Sequence, residues 1–187
     1  MKTALLIIDQ QKGIDHPKLG LRNNPQAEEV MLGVLSRWRQ KWRQNQWPIV
    51  HIKHRSKDSE SVFWPHQTGF EFKNEFLPIE GEVVLEKTVP CAFTNNTFEN
   101  LLRETGVTDL VIVGVATNNS VESTARTGGN LGFKVTVLED GCYTFAKYDY
   151  DGNLRSAQEV HAMSLANLDG EYAAVKRASA LYSALKI

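Results

Sequence analysis

Three side chains in this sequence carry reactive groups at the ends of apolar, strand-like runs. Asp9 follows Ala4–Ile8, Lys87 follows Val83–Leu85, and Ser120 follows Leu110–Val115. A carboxylate, an ammonium and a hydroxyl are the parts of an acid–base or nucleophilic site. The carboxylate moves a proton, the ammonium steadies negative charge, and the hydroxyl attacks or binds. Ser120 lies in GVATNNSVESTAR, where a strand gives way to a helical pattern. Free backbone N–H groups at such a helix start favour developing negative charge. Each residue also has an ordinary role to set beside the chemical one. Asp9 can form a turn, Lys87 can be a solvated cation, and Asn118, Asn119 or Ser120 can be an N-cap worth about 1 kcal/mol. Taken together the three read as a site, because open α/β sheets bind ligands beyond the carboxyl ends of their strands.

The elements that must position them are short. Ala4–Ile8, Ile49–Ile52, Leu110–Val115 and Val135–Leu138, with the shorter Val83–Leu85, are apolar runs with little alternation. Such runs suit a parallel sheet covered on both faces. Helical stripes lie between them: Ala27, Val30, Met31, Val34, Leu35, Trp38 and Trp42, then Phe98, Leu101 and Leu102 ending at Gly106. Asn23-Asn24-Pro25 is predicted to cap and open the first helix. Val121, Ala125 and the Gly128-Gly129 pair belong to the helix after Ser120, with the glycines closing it near Gly132. Ala157–Leu168 is a further helix, and Ala173–Leu185 holds a short edge strand and a last helix. This alternation predicts one domain over residues 1–187, a three-layer α/β/α fold with a mostly parallel, Rossmann-like central sheet. The long aromatic stretch Arg55–Gly81 is expected to wall a pocket, pack on a second subunit or cover a small core of its own.

With 187 residues, a net charge of −1 and 42% hydrophobic content, the chain can bury one ordinary core. Near-neutral charge removes a general electrostatic case for nucleic acid or an anionic membrane as partner. Cys91 and Cys142 are too few for a disulfide scaffold. No apolar run approaches the ~18 residues of a membrane span, and the opening run reads as a strand rather than a signal segment. The expectation is a cytoplasmic protein with a small-molecule substrate, assembled as a homo-oligomer (dimer or tetramer). His51 and His54 stand three apart on a strand and so point to opposite faces, which argues against a shared metal. His54 and His66 are candidates for the pocket, while His16 and His161 have no evident partner. Gly128–Gly132 closes a helix where a phosphate loop would open one. No catalytic metal and no cofactor are expected.

The ordered segments ALLIIDQQKG, PIVHIKH, FWPHQTGFEFKNEF, VVLEKTVPCAF and LLRETGVTDLVIVGVATNNSVESTARTGGNLGFKVTVLEDGC resemble the isochorismatase-like hydrolases. That superfamily also holds nicotinamidases and related cysteine amidohydrolases, and the resemblance covers nearly the whole chain. It implies that Asp9 and Lys87 are catalytic, that the Val115–Ala116 bond is a cis peptide, and that the N–H groups of Ala116 and Ser120 form an oxyanion hole. The amidohydrolases carry a cysteine nucleophile where this chain has Ser120. A thiol ionises near 8.5, whereas an alcohol is closer to water, at about 15.7. A helix terminus supplies at most ~2 kcal/mol, or about one and a half pKa units. Ser120 would therefore need Asp9 as a general base. The family's isochorismatases lack the cysteine, use the aspartate as an acid and hydrolyse a vinyl ether without a covalent intermediate, which would leave Ser120 to bind substrate.

By the same resemblance Cys91 stands where many relatives have serine, and is expected to line the pocket. Cys142 reads as a buried small hydrophobe. The metal site of nicotinamidases uses an aspartate and histidines at a spacing absent here. Phe63 and Trp64 are expected to shape the substrate cavity, with His54 facing it. Two functions follow: a hydrolase of a small amide, carbonyl or vinyl-ether metabolite, or a catalytically weak or inactive relative that binds a metabolite or partner.

Overall fold

The computed structural model describes residues 2–185. Its strands are β1 (Thr3–Ile8), β2 (Ile49–His54), β3 (Val83–Lys87), β4 (Asp109–Val115), β5 (Lys134–Tyr143), β6 (Lys147–Tyr148), β7 (Leu154–Arg155) and β8 (Ala174–Lys176). Its α-helices are α1 (Ala27–Asn45), α2 (Phe98–Glu104), α3 (Glu122–Asn130), α4 (Ala157–Leu168) and α5 (Ala178–Leu185). Six strands form one sheet in the order β3-β2-β1-β4-β5-β8, every neighbouring pair parallel. β6 and β7 make a separate antiparallel hairpin.

The central strands are apolar throughout because both of their faces are covered. Ala4, Leu6 and Ile8 of β1 join a core with Phe98, Leu102, Val121, Ala125, Leu165 and Leu168, from α2, the α3 region and α4. Leu5 and Ile7 face the other way, into a core with Met31, Val34, Leu35 and Trp38 of α1 and Leu181 of α5. That is the three-layer α/β/α arrangement the apolar runs predict. The chain runs outward from β1 through β2 to β3, then returns to place β4 on the other side of β1. The reversal leaves a crevice at the carboxyl ends of β1 and β4, where open α/β sheets bind ligands.

Three local expectations are corrected. Asn24 does not cap α1: its Nδ2 donates to the Glu139 and Cys142 carbonyls at 3.0 and 2.8 Å, and the N-cap residue is Gln26, which makes no side-chain cap bond. Asn23 likewise turns to β5, its Oδ1 accepting from the N–H of Thr144. β5 does not stop at Leu138 but continues to Tyr143. The polar residues that break its apolar run serve α5 instead: Asp140 Oδ1 accepts from Ala178 N–H at 2.9 Å, and Glu139 pairs with Arg177. As expected, the glycine segment closes α3: the Gly128 and Gly129 carbonyls accept from Phe133 and Gly132, and Gly132 has φ +87°, while the backbone at Gly129 packs too closely for a side chain. A Cβ at Gly129 would sit 2.5 Å from the Tyr172 carbonyl oxygen.

Among the described residues no helix is long and apolar enough to cross a membrane.

Candidate active site

Asp9 follows β1 in a left-handed conformation, φ 54°, one that aspartate tolerates better than most residues. The bend turns its carboxylate over the sheet end, where it is 5% exposed. Lys87 closes β3 at 2% exposure and reaches across β2. Its Nζ donates to Asp9 Oδ2 at 2.7 Å and to Ser120 Oγ at 3.1 Å. Three residues far apart in sequence are thus joined through one ammonium. Because Ser120 Oγ accepts from Lys87, its own proton remains free to be donated. Asp9 Oδ1 is buried and bonded to no described residue.

Ser120 sits on a π-helical turn, Thr117–Val121, between β4 and α3. None of Asn118, Asn119 and Ser120 acts as an N-cap here; the cap residue is Ala116, without a side-chain bond. The Val115–Ala116 peptide is cis. The carbonyl of Ala116 accepts from Asn119 and Val121, while no acceptor is found for its N–H among the described residues. Gly114, just before, has φ +131°, and a Cβ there would stand 2.3 Å from the Ile8 carbonyl oxygen. Only glycine lets β4 run this close to the end of β1, so Gly114 sets how near Ser120 approaches Asp9. From behind, α4 grips the turn: His161 Nδ1 lies 2.8 Å from Thr117 Oγ1, and Ser164 Oγ donates to the Thr117 carbonyl at 3.0 Å. His161, without an evident partner in the sequence, therefore has one.

The cavity above Ser120 encloses about 540 Å³ and includes Asp9, Val115, Ala116, His54 and Phe63 in its walls. His54 stacks edge-on against Phe63. Burial holds its imidazole below the ordinary value and the Lys87 charge lowers it further, with Asp9 opposing. His51 faces away, its Nε2 2.8 Å from Glu82 Oε2, as the strand periodicity requires. Two expected pocket residues are corrected. Trp64 is not in the wall; it packs edge-on against His66. Cys91 is not there either, because its Sγ donates to Thr127 Oγ1 on α3 at 3.2 Å, and the neighbouring Pro90 lines the cavity in its place. The aromatic loop packs onto the α1-side core rather than covering one of its own: Phe76 is buried there and Phe63 lies against it, while Phe70 and Phe72 lie against the Lys53 ammonium.

Other wall residues were not anticipated. Asn118 and Asn119 flank Ser120 in TNNS and could have been inferred from the turn itself. Thr144 and Phe145 follow β5, whose end the apolar pattern misplaces, and Ile14, Lys18 and Leu19 come from short 3-10 turns that leave no periodic signal. Lys73 pins this last segment, its Nζ 2.7 Å from both Asp15 Oδ2 and Glu28 Oε1. Among the described residues no three His, Cys, Asp or Glu side chains are grouped to hold a metal ion.

Comparison with known proteins gives four findings. Residues 3–167 match the family described as Isochorismatase domain. The chain is 36% identical over 174 residues to YrdC of Bacillus subtilis (strain 168), an uncharacterized isochorismatase family protein, covering 93% of this chain and 91% of that one. It superposes with a TM-score of 0.92 on the crystal structure of an isochorismatase-family chain from Chromobacterium violaceum ATCC 12472. That chain is 49% identical, with 99% of this chain and 94% of that one covered. A shorter match, 40% identical over 74 residues, is to the ureidoacrylate amidohydrolase RutB of Acinetobacter baylyi, covering 40% of this chain and 30% of that protein.

Proposed function

The chain belongs to the isochorismatase family of hydrolases, and from that premise we propose that it hydrolyses a small amide, carbonyl or vinyl-ether metabolite through Asp9, Lys87 and Ser120. One observation carries the reading: a single buried ammonium bonds both the carboxylate and the hydroxyl. A site free of chemical demands would gain little from burying that ion pair, since desolvating two charges costs several kcal/mol or more.

In the amide reaction Ser120 Oγ attacks the carbonyl carbon while its proton passes to Asp9 Oδ1, the oxygen that Lys87 leaves free. The N–H groups of Ala116 and Ser120 receive the oxyanion. Collapse of that intermediate breaks the C–N bond, and Asp9 returns the proton to the leaving nitrogen. Water then enters, giving its proton to Asp9, and the ester to Ser120 is cleaved by the reverse steps. Serine stands here where the amidohydrolases of the family have cysteine, so the hydroxyl must be deprotonated during attack rather than beforehand. The expected rate is low. In the vinyl-ether reaction Asp9 protonates the substrate, water attacks, and Ser120 only positions. A binding protein without turnover is the competing reading, favoured by the weak nucleophile.

The test is to incubate wild type and Asp9→Asn with a metabolite extract and follow all masses. An Asp9-dependent loss marks an enzyme; an amide lost as acid plus amine supports acyl transfer, and release of pyruvate supports ether hydrolysis. A co-purifying ligand with no mass change would overturn the hydrolase reading.

A further inference from the structure

The cavity above Ser120 holds charge that the three residues do not account for. Asp9 and Lys87 offset each other across 2.7 Å. His54, depressed by burial and by Lys87, is uncharged at neutral pH. The remaining ionisable side chains in the wall are Lys18, on the 3-10 turn Pro17–Leu19, and Lys147, at the start of β6. Lys18 Nζ donates to the Glu60 carbonyl at 3.1 Å, which leaves its charge uncompensated. Among the described residues neither lysine forms an ion pair. Asp9, already held by Lys87, is the only carboxylate in the wall.

The neutral groups favour the same sign. Asn118 Oδ1 accepts from Thr144 Oγ1, which fixes the amide so that Nδ2 is left as a donor. The other walls are Ile14, Leu19, Phe63 and Phe145, suited to a compact apolar body rather than a second charge. Two like charges at the mouth of a cavity with low-dielectric walls focus their field into it, although each is solvated at the rim.

We infer that this site selects a small anion, a molecule bearing a carboxylate on a compact apolar body, with Lys18 and Lys147 meeting the carboxylate while the bond to be broken lies at Ser120. The inference rests on the cavity being the substrate site, as proposed above. Ammonium groups on flexible stems act as point charges without the fixed fork of arginine. They would accept carboxylates at somewhat different distances from the reacting bond.

The test needs neither the substrate nor turnover. Ser120→Cys places a thiol in the cavity that iodoacetate, an anion, and iodoacetamide, its neutral counterpart, both alkylate. Each reagent forms a sulfur–carbon bond and releases iodide. Peptide masses follow that position separately from Cys91 and Cys142. At low ionic strength the iodoacetate-to-iodoacetamide rate ratio should be about tenfold higher than in the same variant carrying Lys18→Gln and Lys147→Gln. The difference should shrink toward unity in about 0.5 M salt. Lys87 is present in both backgrounds, so its own attraction cancels. A ratio indifferent to the two lysines, or no alkylation by either reagent, would overturn the inference. A lysine-dependent ratio in a chain that hydrolyses nothing would keep anion selection and sink the catalytic reading.

Discussion

With its ammonium 2.7 Å from Asp9 and 3.1 Å from Ser120, Lys87 solvates two groups that have little water of their own. Lys87→Met leaves the Asp9 carboxylate buried without its partner, a cost of about 3–5 kcal/mol. For a chain of this size that lowers the unfolding midpoint by about 10 °C, readable by circular dichroism, and turnover should vanish with it. Ser120→Cys acts in the opposite sense. A thiol beside an ammonium ionises far more readily than an alcohol, so this variant should hydrolyse simple amides at least tenfold faster than wild type, followed by ammonia release. The convergence of Asp9, Lys87 and Ser120 was legible in the sequence because each follows an apolar run, and a parallel sheet delivers strand ends to one edge. Trp64 and Cys91 were not. Which way a loop side chain turns depends on partners such as His66 and Thr127, and spacing along the chain carries no record of them.

At the scale of elements, the turn that carries Ser120 is held by α4, whose His161 meets Thr117 Oγ1 and whose Ser164 meets the Thr117 carbonyl. His161→Ala would leave Thr117 Oγ1 buried without that bond, costing about 1–3 kcal/mol. The expected kinetic signature is a fall in kcat with KM little changed, since the loosened turn moves Ser120 and not the cavity walls. On the far side of the sheet, Glu82 ties α1 to β2 through Arg39 and His51. Burial alone would raise its carboxyl. Hydrogen bonds from His51, Arg39 and the Ile79 N–H outweigh that and hold it at about 2, against an ordinary 4.5. The folded-state value is the lower one, so the stabilisation is complete above pH 4.5 and is lost as the pH falls toward 2. It amounts to about 3 kcal/mol. Denaturant titrations from pH 7 down to pH 2 should show Glu82→Gln less stable at neutrality and flatter on its acid limb. The strands of the six-stranded sheet and the five α-helices followed from the apolar patterns, but the β6–β7 hairpin and the full extent of β5 did not. Glu139 and Asp140 interrupt its apolar run for the sake of the chain entering α5, a tertiary reason invisible to local periodicity.

For the whole molecule, the hairpin and α4 flank a groove of about 940 Å³ that shares Asn118 and Lys147 with the cavity above Ser120. Tyr148, Tyr150, Leu154 and Met163 are exposed around it. A second copy of the chain is the proposed partner for this face, and light scattering would then give a multiple of the 21.0 kDa chain mass that Tyr150→Ser with Met163→Ser reduces. The strand order has a consequence of another kind, in the timing of synthesis. Asp9 is synthesised well before β4, but β1 pairs with β4 along its whole length, from Thr3 opposite Asp109 to Ile8 opposite Gly114. Until β4 has been made, β1 has one edge open, and Ser120 does not yet exist. Contacts so distant in sequence form late and slowly. A nascent chain stalled before β4 would carry the carboxylate and the ammonium, placed by β1, β2 and β3, without the hydroxyl. The site starts at β1 and cannot close until β4 and the turn after it have been made.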